Sequence, residues 1–414
     1  MSTHHRATPH GGAVPGPPPD DPPPDDPRTA ALATTLRERG SMKWTGRDAQ
    51  IAAWVAESDL GTPPEVTAAL VAAVDQGLLG YLPPAQRAAL ADACSTWHRE
   101  QYGWDVDPGR VHPVADVLEA LRVTLELWSE PGSPIVLPTP AYMPFLTAPA
   151  TWGHPVVQVP MSPDGTLDLD AIGAALAPGG RTLVLVNPHN PTGRVLPAHE
   201  LTALERVVDQ HHGRVFADEI HAPLTVAGSH HVPYASVGPA AARHTVTATS
   251  ASKGWNLAGL KCAQVILSND QDQRRWRPHD HLATHGASTL GVVANTAAYR
   301  QAPTWPGQVM DQVHVNATTL EQELAAHAPA VGYQPPEGTY LAWLDLRRAG
   351  APLDGLGRWV QARTGVAVTD GAACGDVGRG FVRLNLAMPR PLVVTAARRL
   401  GRALAEVSPA PTAS

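Results

Sequence analysis

The sequence predicts an α/β fold, because short and nearly continuous apolar runs alternate with amphipathic helical patterns. Two of the apolar runs are "RTLVLVN" and "RVFAD", and the helical pattern "ELTALERVVDQHHG" lies between them. Strands of this kind are typical of a parallel or mixed sheet that helices cover on both faces. Polar residues follow several of the runs, and open α/β sheets bind ligands at such strand ends. We therefore expect a large, mixed and mostly parallel sheet with a ligand site at one edge.

The predicted elements follow one another along the chain. "PEVTAALVAAVDQG" and "PAQRAALADACSTWHREQYG" are predicted helices, since each begins with proline and ends with glycine. "VADVLEALRVTLELW" is a third helix, and "SPIVLPTPAY" is a strand that runs into a loop. "HTVTATS" and "CAQVILS" are further strands. Beyond Trp305 the long helical pattern "QVMDQVHVNATTLEQELAAH" leads to the strands "TYLAWLDL" and "FVRLNLAM". This change indicates a second, smaller α+β domain.

The composition and these elements divide the chain into five parts. Residues 1–36 are rich in proline and aspartate and have little to bury, so we expect a disordered or extended tail. We assign residues 37–75 to an N-terminal segment that joins the small domain, and residues 76–305 to the large ligand-binding domain. Residues 306–407 form the small C-terminal domain, and residues 408–414 form a second disordered tail.

The overall composition argues against several classes of protein. The chain has 414 residues and a formal net charge of −7, with no run rich in lysine and arginine, so nothing indicates nucleic-acid binding. Cys94, Cys262 and Cys374 are scattered without metal-ligand spacing, so we expect neither a disulfide framework nor a metal site. The chain contains no apolar run of about 20 residues and no apolar N-terminal signal segment. We therefore expect a cytoplasmic protein without membrane association.

Five side chains at or near predicted strands form a chemically coherent set: Tyr142, Asn190, Asp218, Lys253 and Arg383. Together they match what a pyridoxal-phosphate enzyme requires. A lysine bonds to the cofactor aldehyde, a carboxylate holds the ring nitrogen protonated, and a donor reaches the ring oxygen O3′. An aromatic ring stacks on the pyridine, and an arginine grips the carboxylate of an amino-acid substrate. Each residue also has an alternative, purely structural interpretation. Lys253 then lies on the surface, Asp218 caps a helix and Asn190 forms a turn, whereas Tyr142 packs in the core and Arg383 forms a surface ion pair.

A second group suits the cofactor phosphate. Val114 and Ala115 are the first residues of the predicted helix "VADVLEALRVTLELW", whose first backbone amides can bind an anion. Ser250 and Ser252 flank the lysine of "SASK", and Lys261 lies eight residues further on. Hydroxyl groups and an ammonium are suitable donors to phosphate.

Four segments carry a resemblance to a known family: "NPHNPTGRV", "FADEIHAPL", "SASKGWNLAGLK" and "FVRLNLAMPR". They resemble the motifs of fold-type I pyridoxal-phosphate enzymes of aminotransferase class I/II. More specifically, they resemble the motifs of the cystathionine β-lyase-type C–S lyases of the MalY/PatB group. The segments "WVAESDL", "LGYLPP" and "HHVPYAS" also resemble motifs of that group. The resemblance covers about residues 41–405, and the motifs occur in the family's order. It implies the PLP-dependent transferase-like fold (fold type I) and pyridoxal 5′-phosphate as cofactor.

The resemblance also implies residue roles. The lysine matching Lys253 anchors the cofactor and moves the substrate proton, and the aspartate matching Asp218 pairs with the ring nitrogen. The asparagine matching Asn190 contacts O3′, and the tyrosine matching Tyr142 stacks on the ring. The arginine matching Arg383 binds the substrate carboxylate, with the positions of Tyr142 and Asn190 also near the substrate.

Two further positions bear on the cofactor. In the family, the tyrosine matching Tyr81 reaches the phosphate from the neighbouring subunit, which implies a homodimer with active sites at the subunit interface. His221 is open to two interpretations, because it either contacts the cofactor or packs beneath it. The family positions matching Ser250, Ser252 and Lys261 face the phosphate.

Three segments depart from the family pattern. The family usually has Thr-Phe-Asn after the lysine, whereas this chain has Gly254-Trp255-Asn256. The phosphate loop usually resembles "GVVPG", and here it is "RVHPVAD", with Arg110 and His112. After "DEIH" the family commonly has a small residue and aspartate, and here Ala222-Pro223 follows. These departures leave the substrate and the fate of the substrate carbanion open.

Four functional hypotheses follow. The first is C–S β-elimination from a cysteine S-conjugate, such as cystathionine or the thiol conjugate of a specialised metabolite. The second is aminotransfer, and the third is an oxygen-using decarboxylative deamination, which the Gly254-Trp255 and His112 departures keep open. The fourth is a non-enzymatic regulator, and we find no DNA-binding motif in the sequence that favours this hypothesis.

Overall fold

Residues 26–177 and 181–407 are described by a computed structural model, which has the predicted α/β fold. The α-helices in these ranges are α1 (Pro27–Glu38), α2 (Met42–Thr45), α3 (Pro64–Asp75), α4 (Pro84–Tyr102), α5 (Val117–Trp128), α6 (Met143–Thr151), α7 (Leu169–Leu176), α8 (Ala198–Gln210), α9 (Pro239–His244), α10 (Asp270–Trp276), α11 (Asp280–Thr284), α12 (Thr289–Gln301), α13 (Trp305–His327), α14 (Leu356–Thr364) and α15 (Arg390–Ala405). The strands are β1 (Ile51–Ala52), β2 (Val111–Val114), β3 (Ile135–Thr139), β4 (Val156–Pro160), β5 (Thr182–Val186), β6 (Arg214–Asp218), β7 (Thr245–Thr249), β8 (Ala263–Leu267), β9 (Gly332–Tyr333), β10 (Leu341–Asp345), β11 (Val366–Ala367), β12 (Thr369–Asp370) and β13 (Phe381–Asn385). Short 3₁₀ helices lie at Pro108–Arg110, Tyr234–Ser236, Ala258–Leu260, Gly371–Cys374 and Asp376–Gly378.

The large sheet has seven strands in the order β2-β8-β7-β6-β5-β3-β4. Strand β8 runs antiparallel to both of its neighbours, and the other pairs are parallel. Strands β2, β3, β5, β6 and β7 therefore all end at the same edge of the sheet. Loops that follow these strands must meet there, which makes this edge the place for a ligand site.

Helices cover both faces of the large sheet. Successive side chains of a strand point to opposite faces, so Val215 and Phe216 of β6 belong to different apolar clusters. Phe216 packs in the cluster that includes Leu121 of α5, and Val215 packs in the cluster that includes Leu204 of α8. Burial on both faces explains why the central strands read as continuous apolar runs.

The small sheet is antiparallel, with strands in the order β12-β13-β10-β9. Strand β1 pairs in parallel with β11, with Ile51 opposite Val366, so the N-terminal segment lies against the C-terminal part of the chain. All strands of the large sheet lie between residues 111 and 267, and those of the small sheet between 332 and 385. The boundaries after residues 75 and 305 stay predictions.

The predicted N-terminal tail differs from the structure over part of its length. Residues 27–36 were expected to be extended but lie in α1, so the prediction is wrong for them. Thr29, Ala33 and Leu36 are buried, and α1 packs against α15. Buried residues at intervals of four and three positions place one helix face on this neighbour, which local composition does not reveal. Residues 1–25 and 408–414 lie outside the described residues.

Two searches of the described ranges gave negative results. No helix there is long and apolar enough to cross a membrane. No group of three or more histidine, cysteine, aspartate or glutamate side chains there has an arrangement that could hold a metal ion.

Candidate active site

The candidate site lies where the parallel strands of the large sheet end. Asp218 is the last residue of β6, and Asn190 follows β5 in the next loop. Lys253 lies in the turn after β7, and Tyr142 immediately precedes α6 in the loop after β3. Arg383 reaches the same place from β13 of the small sheet, since its guanidinium contacts Asn190. Side chains from distant parts of the sequence therefore meet at one sheet edge.

The amine of Lys253 loses its proton more readily than that of an ordinary lysine. Its Nζ donates a hydrogen bond to the backbone carbonyl of Ala56 at 2.9 Å. Burial, reinforced by the positive charge of Arg383, lowers the pKa of Lys253 to about 8. An uncharged amine is the form that attacks a carbonyl carbon, so this environment suits a nucleophilic lysine.

Asp218 is a buried carboxylate, with 4% of its surface exposed. Burial raises its pKa to about 7, while the backbone N–H of Ile220 and the charge of Lys253 act in the opposite direction. A carboxylate in this position is stabilised by a cationic N–H group. The protonated ring nitrogen of pyridoxal phosphate is such a group.

Arg383 is a buried cation, and no carboxylate in the described ranges forms an ion pair with it. Its Nη1 donates to Asn190 Oδ1 at 2.9 Å, and its Nη2 donates to the Trp54 carbonyl at 3.0 Å. The side chain is 3% exposed, and Nε has no hydrogen-bond partner there. Burial lowers the pKa of Arg383. A buried guanidinium with spare donors is suited to binding a carboxylate.

Tyr142 and His221 complete this part of the site. Tyr142 is half-buried, and its ring meets the edge of Phe145 at 5.5 Å. Burial, aided by the charge of Asp218, raises its pKa. His221 is 2% exposed and its Nδ1 has no hydrogen-bond partner in the described ranges. Burial, aided by the charges of Lys253 and Arg383, lowers its pKa well below the ordinary value, so the ring is neutral.

The residues assigned to the phosphate lie near the start of α5. Val114 ends β2, and Ala115 leads to Asp116, which caps α5 by accepting from the Glu119 N–H. Lys261 Nζ pairs with Asp116 Oδ2 at 3.0 Å, so this ammonium lies at the same helix terminus. Amide and ammonium donors therefore lie close together at the helix start, where Asp116 accepts from both the Glu119 N–H and Lys261.

Ser250 and Ser252 differ in their surroundings. The buried Ser250 hydroxyl donates to the Cys262 carbonyl at 2.7 Å and accepts from the Ser252 backbone N–H at 3.0 Å. It thus fixes the turn that carries Lys253. Ser252 is half-buried.

Tyr81 lies on the surface with 90% of its area exposed. Its ring centroid is 6.2 Å from that of His285. Leu79 and Leu282 are also exposed, at 64% and 78%. A tyrosine and two leucines exposed to this extent mark a surface suited to contact with another protein.

The segment Trp54–Ser58 contributes a part of the site that the sequence did not reveal. Its backbone carbonyls accept hydrogen bonds from side chains in or next to the small sheet and from side chains in the turn after β7. The bonds include Arg383 to Trp54, Asn385 to Val55 and Glu57, Lys253 and Tyr340 to Ala56, and Asn256 to Ser58. Carbonyl oxygens carry no residue-specific signal, so only the motif "WVAESDL" pointed to this segment. We call residues 54–58 the carbonyl segment.

Two of the departures from the family pattern are in contact. A Cβ atom on Gly254 would lie 3.2 Å from Cβ of Pro223 and 3.4 Å from Cγ of Pro306. Glycine at 254 therefore accommodates proline at 223, and the two changes are sterically linked.

Trp255 and His112, the two bulky residues that depart from the family pattern, contact residues other than Lys253. Trp255 is fully buried, donates from Nε1 to the Ala302 carbonyl at 2.8 Å, and packs against Trp97. His112 lies 3.0 Å from Asp280 Oδ1 through its Nδ1, and its ring packs against Trp276. Both side chains support the core of the large domain.

Comparisons with known proteins identify the family of this chain. The family model for aminotransferase class I and II matches residues 55–400. The cystathionine beta-lyase of Corynebacterium glutamicum is 34% identical over 374 residues, covering 89% of this chain and 98% of that protein. The cystathionine beta-lyase PatB of Bacillus subtilis is 30% identical, covering 85% and 92%. The PLP-bound C–S lyase structure from Staphylococcus hominis superposes with a TM-score of 0.83 at 26% identity, covering 89% and 97%. The chain therefore belongs to the aminotransferase class I and II family of pyridoxal-phosphate-dependent enzymes.

Proposed function

We propose that the protein is a C–S β-lyase that converts the S-conjugate of a cysteine into a thiol, pyruvate and ammonia. The relatives from Corynebacterium glutamicum and Bacillus subtilis carry the name cystathionine beta-lyase, and the Staphylococcus hominis structure is that of a C–S lyase. Substrates of this class are amino acids with a sulfur leaving group at Cβ.

One observation carries the proposal: the buried guanidinium of Arg383 has no carboxylate partner among the described residues and lies beside Asn190. Burying an unpaired charge is costly unless a counter-ion binds there. The α-carboxylate of an amino acid provides that counter-ion. Binding it fixes the rest of the substrate relative to Lys253 and Asp218.

The described residues fit pyridoxal phosphate. Lys253 would hold it covalently, Asp218 would pair with its ring nitrogen, and Tyr142 would cover the ring face. Asn190 and His221 would lie near its polar edge. When bound, the cofactor supplies a ring that accepts the electron pair released at the substrate Cα.

The protein's own groups then perform the proton transfers. Arg383 holds the substrate carboxylate, which orients the Cα–H bond toward the neutral amine of Lys253. The amine takes the Cα proton and becomes an ammonium. The Cβ–S bond breaks, and the sulfur leaves with the electron pair as a thiolate. Lys253 passes its proton to the thiolate, which leaves as a thiol, and hydrolysis of the released three-carbon product yields pyruvate and ammonia.

The exposed surface around Tyr81 supports a homodimer in which two chains share each site for the cofactor phosphate. Val114, Ala115, Ser252 and Lys261 would contact the phosphate from this chain. Tyr81 would complete that site in a second copy, with exposed Leu79 and Leu282 buried at the interface. Sedimentation velocity should show a dimer for the wild type. Titration with pyridoxal phosphate should show weaker cofactor binding for Tyr81→Ala than for the wild type. A monomeric wild type with full cofactor binding would contradict it.

The reaction is tested by incubating the purified, cofactor-loaded protein with S-ethylcysteine or cystathionine. Thiol or homocysteine, pyruvate, carbon dioxide and oxygen uptake are measured with and without a keto acid. We expect thiol and pyruvate in equal amounts without a keto acid, and no product from Lys253→Ala. Strict dependence on a keto acid would instead establish aminotransfer, and carbon dioxide release with oxygen uptake would establish oxidative decarboxylation.

Arg383→Lys should raise KM more than it lowers kcat, because it keeps the charge but loses the bidentate geometry.

A further inference from the structure

We propose that Tyr340 is a positioning residue for Lys253: through the carbonyl of Ala56, its hydroxyl fixes the place from which the free lysine amine takes the Cα proton of the substrate. The inference deepens the proposed function and rests on it for the use of pyridoxal phosphate with an amino-acid substrate. The proposed reaction gives Tyr340 no role of its own. Tyr340 acts on the amine through one shared hydrogen-bond acceptor.

The Ala56 carbonyl oxygen accepts two side-chain hydrogen bonds. Lys253 Nζ donates to it at 2.9 Å, and the Tyr340 hydroxyl donates to it at 3.0 Å. A carbonyl oxygen has two lone pairs, so both bonds can form together. Among the described residues, no backbone N–H donates to this oxygen. Tyr340 is therefore the partner that holds the oxygen in place whenever the lysine amine is elsewhere.

The hydroxyl of Tyr340 is a fixed donor. The residue is 1% exposed, and burial raises the pKa of its hydroxyl, which therefore keeps its proton. Its ring meets that of His221 nearly at a right angle, with the two centroids 6.0 Å apart. His221 follows Asp218 by three residues. Tyr340 thus lies between the carbonyl segment and the loop that follows the carboxylate of the site.

The backbone before Tyr340 has a conformation that a β-branched residue rarely adopts. Thr339 has a φ of 65°, in the left-handed region. Its N–H donates to the Leu224 carbonyl at 2.7 Å, and its Oγ1 accepts from the Leu341 N–H at 3.1 Å. Strain of this kind persists only where the surrounding contacts impose it, and it is concentrated at functional sites. The direction of Tyr340 is therefore maintained at a cost in backbone energy.

A fixed Ala56 carbonyl determines how Lys253 can act as a base. Once a substrate amine has replaced Lys253 on the cofactor, the lysine carries a free amine, as it does in this structure. One N–H of that amine points at Ala56, so its lone pair lies at another corner of the tetrahedral nitrogen. A displacement of about 1 Å can slow a reaction about a hundredfold. Loss of the Tyr340 hydroxyl should therefore slow proton transfer and leave substrate binding, which uses Arg383, unchanged.

The first test follows the reaction of Lys253 with pyridoxal phosphate in the absence of substrate. Cofactor-free wild type, Tyr340→Phe and Tyr333→Phe are mixed with increasing pyridoxal phosphate, and stopped-flow absorbance records its attachment. Tyr333→Phe is the matched control, because its buried hydroxyl in β9 has no hydrogen-bond partner among the described residues. In Tyr340→Phe the limiting rate should fall about tenfold, with the half-saturating concentration unchanged. Tyr333→Phe should match the wild type in both quantities.

The second test follows proton transfer in the cofactor-loaded proteins. L-Alanine has no leaving group at Cβ, so it reports removal of the Cα proton without elimination. Its α-proton signal is followed by NMR in deuterated water. At saturating alanine the exchange rate should be about tenfold lower in Tyr340→Phe than in the wild type, and the half-saturating alanine concentration should be the same.

A limiting rate of Tyr340→Phe equal to that of the wild type in either assay would overturn the proposal. A rise in half-saturating concentration alone would also overturn it, because a purely structural tyrosine affects binding rather than the reactivity of the amine. Tyr340→Phe keeps the buried ring, and urea denaturation verifies that it is folded. Neither assay measures C–S cleavage, so the expected results without thiol release from a cysteine S-conjugate would refute the proposed reaction alone. Absence of cofactor attachment in the wild type would refute both.

Discussion

Replacing Asp218 by asparagine should stabilise the cofactor-free protein relative to the wild type, and increasingly so between pH 5 and 7. The pKa of Asp218 is raised from 3.8 to about 7 in the folded protein, chiefly by burial. The folded state therefore holds a proton on Asp218 that the unfolded state has already released over this interval. The contribution of Asp218 to stability is full below pH 4 and is lost as the pH rises through 7. Asparagine does not titrate and escapes this loss.

The size of the effect follows from the shift in the pKa of Asp218. Three units correspond to about 4 kcal/mol in the free energy of unfolding, at about 1.4 kcal/mol per unit. Between pH 5 and 7 the variant should therefore gain about 2–3 kcal/mol on the wild type. The comparison stays below the pKa of Lys253, about 8, so the lysine is charged in both states throughout.

Urea denaturation of both cofactor-free proteins at pH 5, 6 and 7 measures this difference. Asp345→Asn serves as the matched control. Burial alone would raise the pKa of Asp345, but hydrogen bonds from Arg347 bring it below its ordinary value. Its contribution is lost only in stronger acid, so this control should show no pH dependence in the interval. A constant difference between Asp218→Asn and the wild type at all three pH values would refute the reasoning, whatever its sign.

Three further changes test the packing around the site by urea denaturation. Gly254→Thr should cost about 1–3 kcal/mol because its Cβ would crowd Cβ of Pro223, and the same change should cost clearly less in a Pro223→Gly background, which lacks that atom; an equal cost in both backgrounds would contradict the contact. Asn256 has a φ of 61°, so Asn256→Ala should be about 1–2 kcal/mol less stable than Asn256→Gly, although both lose the same side-chain hydrogen bonds; equal stabilities would count against backbone strain. Lys43→Met should cost about 3–5 kcal/mol by leaving Asp59 buried without its partner at 2.7 Å, and adding Asp59→Asn should restore part of it, whereas a near-neutral single change would argue against a structural ion pair.

The parts of the site that the sequence made visible follow from local pattern. Asp218 and Asn190 come after apolar runs, and the ends of parallel strands share one edge of a sheet. This rule relates residues that are far apart in sequence without any knowledge of side-chain packing. It applies equally to Lys253 after β7.

Other contributions depend on contacts that no local pattern encodes. The carbonyl of Ala56 has no identity in the sequence, and Tyr340 becomes relevant only because its hydroxyl donates to that carbonyl at 3.0 Å. Gly254 and Pro223 read as separate departures until their contact is seen. Similarly, α1 forms because α15 covers its apolar face, a tertiary effect that overrides a composition typical of an extended tail.

The carbonyl segment also bears on the order in which this protein can assemble during synthesis. Ala56 lies 197 residues before Lys253 and 284 before Tyr340, and Val55 lies 330 before Asn385. Contacts of such long range form late, because the closure entropy of the intervening chain must be overcome first. A ribosome-bound chain can complete the large sheet while β13 is still unsynthesised. The carbonyl segment, which holds the lysine amine, then lacks the hydrogen bonds that Arg383 and Asn385 donate to it. Competence to bind and use the cofactor is accordingly among the last properties that the growing chain acquires.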